Sequence, residues 1–150
     1  MAQDQSTESE CIFCKIVAGR IPCHRLYEDD HVLSFLDVGP LSSGHSLVIP
    51  KQHWVTIDQV PAATAAACMA VVPKLSRAIM AATGATAWNV LQNNGKAAHQ
   101  AVGHVHFHII PKMEDGRGLS SPFNPSSIDH EDGARLSSSI RDLLSRPPSQ

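Results

Sequence analysis

The chain has 150 residues, 43% of them hydrophobic and 17% charged, and a formal net charge of -2, which fits a single domain with its own core and gives no basic surface for nucleic acid. No apolar run approaches the ~20 residues that a membrane span needs, and the polar N-terminus lacks the apolar segment of a signal peptide. We therefore expect no nucleic-acid and no membrane partner, and a location in the cytoplasm, with the nucleus as a further compartment.

The first half of the chain predicts a short helix followed by strands. Residues 1–9 predict a disordered leader, and CIFCKIVAGRIP predicts a helix ended by Gly19 and Pro22. DVGPLSSGH has the Gly, Ser and Pro content of a loop. Strands are predicted at residues 24–28, 32–36 and 45–50.

The second half predicts one long helix, two strands and a terminal helix. The long helix lies within residues 56–83, with Pro61 in its first turn, a kink or local weakness at Pro73, and Gly84 after its end. TAWNVLQ and HVHFHIIP predict strands, and Asp129 can cap a helix in EDGARLSSSIRDLLS. Consecutive strands favour an α+β domain over residues 10–112, with an antiparallel sheet of about five strands, one long helix and one short helix. We expect residues 113–150 to form an extension that packs on or near this domain.

Three histidines alternate with apolar residues in HVHFHIIPK. In a strand, His104, His106 and His108 share one face, roughly 6.5–7 Å apart, while the residues between them face the core. A solvated strand face, a metal site and a catalytic site all fit this pattern. Neutral imidazole is a zinc ligand, and it also serves as a nucleophile, acid or base near neutral pH.

HVHFHIIP matches the His-φ-His-φ-His-φ-φ signature of the histidine triad (HIT) family. CIFCKIVAGRIPCHRLYEDDHVLSFLDVGPLSSGHSLVIPKQH resembles the N-terminal half of that family, and LQNNGKAAHQAVGHVHFHIIPK resembles its catalytic half. The resemblance covers residues 11–112 and is strongest to the Hint branch of purine nucleotide-binding hydrolases. It implies a homodimer that forms through the long helix and the strand near residues 86–92.

The resemblance implies the catalytic residues. His106 corresponds to the nucleophile, which attacks the α-phosphorus of a nucleotide and forms a covalent nucleotidyl-histidine that water hydrolyses. His108 would contact the phosphate oxygens, and His45 would support the same site. A nearby backbone carbonyl would fix the tautomer of the nucleophile.

A nucleotide pocket is implied as well. Asp37 corresponds to the carboxylate that binds the ribose hydroxyls, and Asn93 and Gln100 correspond to polar contacts from a glycine-bearing loop. His99 stands where the family often has Gly, and Ala101 stands where Hint relatives often have Ser or Thr, so the leaving group stays open. Apolar residues that fit either the base pocket or the core are Ile12, Phe13, Ile16, Phe35, Val38 and Leu47.

Cys11 and Cys14 form a C-x-x-C pair, which is a weak signal alone. The resemblance to zinc-bearing microbial and fungal HIT proteins implies that His53 and His104 complete the set. Four such ligands leave no open position, so the zinc would be structural. The alternative is two buried cysteines and two polar histidines.

The function implied is a hydrolase or transferase that cleaves at the α-phosphate of a purine nucleotide. Its substrate would be a nucleoside phosphoramidate or another adenylylated compound, and it would release AMP. The alternatives are a dinucleoside polyphosphate hydrolase of the Fhit type, a zinc-bearing nucleotide-binding scaffold with little turnover, and a metal enzyme that uses all three triad histidines.

Overall fold

A computed structural model describes residues 8–120 and 123–147, which form two compact units over those ranges. Of the predicted leader, residues 1–7 lie outside the described residues, and residues 8–10 form a turn. The predicted domain boundary after Lys112 stays a prediction.

The first unit is an α+β domain around one antiparallel sheet, as predicted. The sheet order is β1-β2-β3-β5-β4, and every neighbouring pair runs antiparallel. The helices are α1 (Ile12–Val17) and α2 (Ala62–Thr83), and the strands are β1 (Arg25–Glu28), β2 (Val32–Leu36), β3 (Ser46–Pro50), β4 (Ala87–Gln92) and β5 (Phe107–Lys112).

The histidine strand starts later than its alternation predicts. β5 begins at Phe107, where pairing with both β3 and β4 starts. The residues before it lie outside the sheet, with a bend at residues 102–104. The His104 N–H donates to Val102 O and the Val105 N–H donates to Trp54 O. Side-chain alternation continues through this segment even though its backbone leaves the sheet.

The two faces of the sheet carry separate apolar clusters. On β2, Val32 belongs to the cluster that α2 covers, while Leu33 belongs to the cluster that α1 covers. Val105, Phe107 and Ile109 all lie in the α2-side cluster. This agrees with the prediction that they face the core, and it directs the three triad histidines to the α1 side.

Helix α2 continues through Pro73, and the predicted kink or local weakness there stays a prediction. Proline removes one helical hydrogen bond, but Pro73 is exposed, so water can bond to the carbonyl left without a partner. The helix ends at Gly84, whose φ of 72° is left-handed and whose N–H donates to Met80 O. By length and composition α2 is long and apolar enough to cross a membrane, so the prediction that no apolar run approaches a span was wrong for this helix; 33% of that apolar stretch is buried within the protein.

The second unit contains helix α3 (His130–Leu144). The Asp129 side chain accepts a hydrogen bond from the Asp132 N–H at 2.9 Å, which confirms the predicted cap. Leu136, Ile140 and Leu143 recur at helical spacing, so α3 is amphipathic.

Candidate active site and metal centre

His106 is held in one tautomer by the backbone. Its Nδ1 lies 2.7 Å from the carbonyl oxygen of His104, and a carbonyl only accepts, so Nδ1 carries the proton. The Nε2 lone pair is therefore available. Burial lowers the pKa of His106, and the ring is consequently neutral at pH 7, as a nucleophile must be.

His45 and His108 form a directed hydrogen-bond chain beside this ring. The Leu41 N–H donates to Nδ1 of His45 at 3.0 Å, so Nε2 of His45 carries the proton and donates to Nδ1 of His108 at 2.9 Å. The free Nε2 of His108 is then an N–H donor. Burial, followed by the nearby His106 and His45, lowers the pKa of His108 to about 4. Its ring centroid lies 4.8 Å from that of His106.

Asp37 lies beside the hydrogen-bonded pair of His45 and His108. Its Oδ1 accepts a hydrogen bond from the Gly39 N–H at 2.8 Å, and its Oδ2 lies 3.5 Å from Nε2 of His45. Asp37, His45 and His108 are close enough to share a metal ion. A metal would have to displace the Nε2 proton of His45, whose other nitrogen is already bonded to Leu41, so this set is better suited to hydrogen bonding.

The residues predicted for the base pocket divide into two groups. Ile12 and Val38 are exposed, at 45% and 93% of their surface. Phe13 packs edge-on against the ring of His106, with centroids 5.3 Å apart. The other residues are buried together with Phe13 in the α1-side cluster, namely Ile16, Phe35 and Leu47.

Gln100 stabilises the loop after β4 through two hydrogen bonds. The Oε1 of Gln100 accepts from the Gly95 N–H at 2.7 Å, and its Nε2 donates to Val55 O at 2.7 Å. His99 adopts a left-handed φ of 65°, the one positive φ of a non-glycine residue among those described, and its carbonyl accepts from Asn93 at 3.4 Å. A cavity of about 560 Å³ beside this loop is lined by Val55, Thr56, Gly95, Lys96, His99, Gln100, Ala101 and Gly103.

The predicted metal ligands Cys11, Cys14, His53 and His104 lie together, with their donor atoms within 4.8 Å of one another. Nδ1 of His104 is 3.5 Å from each cysteine sulfur and 3.3 Å from Nδ1 of His53, which lies 3.3 Å from the Cys14 sulfur. A tetrahedral zinc with ordinary bond lengths needs N–N and N–S separations of about 3.3–3.6 Å. The donor set therefore fits a tetrahedral metal ion.

Two further features of this set suit a cation. Nε2 of His104 lies 2.9 Å from Pro50 O, so Nε2 carries the proton and Nδ1 offers its lone pair. Burial, and then the neighbouring Cys11, raise the pKa of the Cys14 thiol to about 12. A thiolate at Cys14 therefore requires a positive charge beside it.

Three backbone groups of the site were not predicted individually: the Leu41 N–H, the Val55 carbonyl and the Pro50 carbonyl. Every residue type offers the same backbone groups, so sequence carries no signal for them. The carbonyl that orients His106 was implied by the resemblance, and the structure identifies it as that of His104.

Comparisons with known proteins agree with these features. The HIT domain model matches residues 18–115. Adenylylsulfatase HINT3 of Arabidopsis thaliana is 43% identical over 151 residues, covering 99% of this chain and 77% of that protein. Adenosine 5'-monophosphoramidase hnt1 of Schizosaccharomyces pombe is 46% identical over 136 residues, covering 87% of this chain and 98% of that protein.

Solved structures share the fold. A histidine triad nucleotide-binding protein from Candida albicans matches with a TM-score of 0.83 at 38% identity, covering 89% of this chain and 96% of that chain. A zinc-bound histidine triad family protein from Mycobacterium smegmatis matches with a TM-score of 0.69 at 36% identity, covering 93% and 99%. The chain belongs to the histidine triad (HIT) family, in its Hint-like branch.

Proposed function

We propose that this protein is a nucleotide hydrolase that cleaves purine nucleoside phosphoramidates, or related adenylylated compounds, at the α-phosphate. The observation that carries the proposal is the buried, neutral His106 with its Nδ1–H bonded to a carbonyl and its Nε2 free. Relatives named as an adenosine 5'-monophosphoramidase and an adenylylsulfatase support the reaction class.

The reaction proceeds in two displacements. Nε2 of His106 forms a bond to the α-phosphorus while the bond from phosphorus to the leaving group breaks, and the leaving group keeps the electron pair and takes up a proton. Water then attacks phosphorus, the P–Nε2 bond breaks with its electrons returning to His106, and the water loses a proton. One water is consumed and a nucleoside monophosphate is released.

Neighbouring groups stabilise the charge and bind the nucleotide. The Nε2–H of His108 donates to a phosphate oxygen, because its Nδ1 is occupied by His45. Asp37 accepts the ribose hydroxyls, and Asn93 and Gln100 contact the phosphate side. Ala101 has no hydroxyl and so cannot donate a hydrogen bond to a leaving group. The cavity beside it therefore binds leaving groups that receive no hydrogen bond from residue 101.

The proposal includes a zinc site. Its ligands would be Cys11, Cys14, His53 and His104. With these four residues as ligands a zinc ion would have no open position, so they would hold it as a cross-link between α1 and the segment before β5, and it would take no part in catalysis. The donor geometry and the zinc-bound relative support this assignment.

A homodimer is part of the same proposal. β4 lies at the edge of the sheet, with Trp88 and Val90 about half exposed, and Met69 on α2 is exposed to a similar extent. Apolar residues on an edge strand favour pairing with another chain. Light scattering after size-exclusion chromatography gives the mass, and a monomer would contradict the proposal.

The test measures AMP release from adenosine 5'-phosphoramidate, adenylyl sulfate and diadenosine triphosphate. We expect the wild type to hydrolyse the phosphoramidate, and His106→Ala to lose at least roughly 10³-fold in kcat. His24→Ala is the matched control, since His24 is exposed and lies outside the site. A preference for the triphosphate would indicate the Fhit type, and AMP binding without hydrolysis of any of the three would indicate a scaffold.

A further inference from the structure

The cavity beside the loop that follows β4 has a cationic lining. Lys96 and His99 both line it, and none of the described residues that line it is Asp or Glu. We propose that Lys96 and His99 select substrates whose leaving group departs from the α-phosphate as an oxyanion, as sulfate does. The inference rests on the proposed function and specifies the substrate class of the same site.

The cavity borders the segment that carries the proposed nucleophile. Gly103 lines the cavity and directly precedes the histidine segment. Val55 also lines it, and the carbonyl of the preceding residue, Trp54, accepts a hydrogen bond from the Val105 N–H at 2.7 Å. Two separate stretches of the cavity wall therefore adjoin the residues immediately before His106.

The proposed ribose contact lies at the other end of the histidine segment. His108, the last of the three histidines, bonds to His45, and Oδ2 of Asp37 lies 3.5 Å from Nε2 of His45. Gly103, by contrast, precedes the first of them. A nucleotide with its ribose at Asp37 and its α-phosphorus at His106 therefore has its leaving group on the side of the cavity.

The polar side chains around the cavity are available chiefly as donors. Within the part of the chain that the structure describes, Lys96 forms no ion pair and the His99 ring forms no hydrogen bond. The Thr56 hydroxyl makes no capping hydrogen bond, and Oε1 of Gln100 already accepts from the Gly95 N–H. An ammonium, an imidazole N–H and a hydroxyl are groups that bind an oxyanion.

His99 places its ring beside the cavity at the expense of backbone strain. Its φ of 65° is left-handed, a conformation that glycine adopts freely and that a side chain disfavours. Strained residues of this kind cluster at ligand sites. A histidine at a position where glycine would fit the backbone better therefore favours a role for the ring toward the occupant of the cavity.

The departure of the leaving group gives the same preference. As Nε2 of His106 bonds to phosphorus, the bond from phosphorus to the leaving oxygen breaks, and that oxygen keeps the electron pair. Sulfate leaves as a stable anion without taking up a proton, so a cation beside it stabilises the charge. An amine must gain a proton as it leaves, and Ala101 has no hydroxyl to donate one. Water then hydrolyses the nucleotidyl-histidine, and its protons pass to the nucleoside monophosphate or to solvent.

The test compares kcat/KM for adenylyl sulfate with kcat/KM for adenosine 5'-phosphoramidate, because their ratio cancels effects common to both substrates. Lys96→Gln should lower the ratio of sulfate to phosphoramidate by about fivefold, the effect of one exposed charge pair. Lys96→Glu should lower it by at least roughly tenfold, since repulsion replaces attraction. His99→Gly should lower it by about threefold through loss of a hydrogen bond. Both residues are exposed, so these replacements leave the core intact.

Lys74→Gln is the matched control, because it removes the same charge from an exposed position on α2 and should keep the wild-type ratio. An equal fall in this control would indicate an effect of net charge alone and would overturn the inference. An unchanged ratio in Lys96→Gln would overturn it as well. So would a His99→Gly variant that loses more activity on the phosphoramidate than on the sulfate, since that result would make His99 a proton donor to amines.

Binding to His106→Ala separates this inference from the proposed function. That variant lacks the nucleophile, so titration calorimetry reports the Kd of each intact substrate, and the ratio of the two values should depend on Lys96 and not on Lys74. If the wild type hydrolyses neither substrate while the Kd ratio depends on Lys96, the proposed function fails and the selection by charge stands. If hydrolysis occurs and neither ratio depends on Lys96, only the selection by charge fails.

Discussion

Nε2 of His45 donates a hydrogen bond to Nδ1 of His108 across 2.9 Å. The direction of this bond follows from Nδ1 of His45, which accepts a hydrogen bond from the Leu41 N–H and leaves the proton on Nε2. A backbone amide outside the strands thus determines that Nε2 of His108 carries the proton.

Replacing His45 should damage both activity and stability. His45→Ala leaves the Leu41 N–H without its acceptor and releases the tautomer of His108, so we expect kcat to fall by about 10²-fold and the free energy of unfolding to fall by about 1–3 kcal/mol. Steady-state kinetics and urea unfolding measure the two effects. His31→Ala, at an exposed position, should leave both unchanged; equal losses in the two variants would contradict the assigned role.

Stability should fall as the pH drops from about 6.5 to 4. The pKa of His108 is lowered to about 4 by burial and by His106 and His45, against about 6.5 in the unfolded chain. In this window the unfolded state binds more protons, so acid favours unfolding. Allowing for solvent around the partly exposed ring, we expect about 1–2 kcal/mol from His108.

The contribution of His108 is isolated by comparison with His108→Gln, which cannot titrate. Urea unfolding of both proteins at pH 7 and pH 4.5 gives the difference. The variant should lose less stability on acidification than the wild type, and parallel losses would show that the pH dependence arises elsewhere.

Removing one thiol should release the metal. Cys14→Ser is expected to lower zinc from one ion per chain to near zero and to lower the thermal midpoint, since bound metal stabilises only the folded state. Elemental analysis and thermal unfolding with and without a chelator measure this. Cys23→Ser makes the same change outside the four-residue set and should keep its zinc; loss from both variants would argue against the assigned ligands.

Gly44 should not tolerate a side chain. It has a φ of 82°, and a Cβ there would lie 2.7 Å from the Thr83 side chain and 3.0 Å from that of Ile79. Gly19 has a similar φ of 73° with nothing near its Cβ position. Both alanine variants should lose about 1–2 kcal/mol from the left-handed conformation, and Gly44→Ala should lose about 1–3 kcal/mol more from overpacking. Equal values by urea unfolding would contradict this.

His99→Gly should stabilise the protein by about 1 kcal/mol, because glycine adopts the left-handed φ of 65° without strain. The ring also lines the cavity beside Ala101, so the ratio of kcat/KM for phosphoramidate over adenylyl sulfate should change. Urea unfolding and the two rates test this. A destabilised variant would show that the His99 ring makes contacts that outweigh its backbone strain.

Local signals predicted most of the elements. β2 follows from its apolar run and has the predicted bounds, Gly84 ends α2 through its left-handed φ, and Asp129 caps α3. The helix continues through Pro73 because water can bond to the unpaired carbonyl on the exposed side of the helix, and the kink or local weakness predicted there stays a prediction. The start of β5 was predicted too early, because side-chain alternation continues through residues 104–106, which have no strand partner.

The identities of the site residues could be predicted from the sequence. The exposure and hydrogen-bond partners of those residues could not. Cys11 and His53 were assigned as zinc ligands because the resemblance to zinc-bearing HIT proteins implies them, and the structure brings their donor atoms together. The exposure of Val38 and the engagement of Gln100 with Val55 O depend on how loops close over the sheet. Sequence patterns describe one element at a time and carry no information on that closure.

The proposed metal centre also has a consequence for folding kinetics. Cys11 and His104 are separated by 93 positions in the chain, so the donors meet only after most of the sheet has formed. Contacts of such long range are made late, and interactions absent from the transition state act on unfolding rather than on folding. Zinc should therefore leave the refolding rate nearly unchanged and prolong the lifetime of the folded protein.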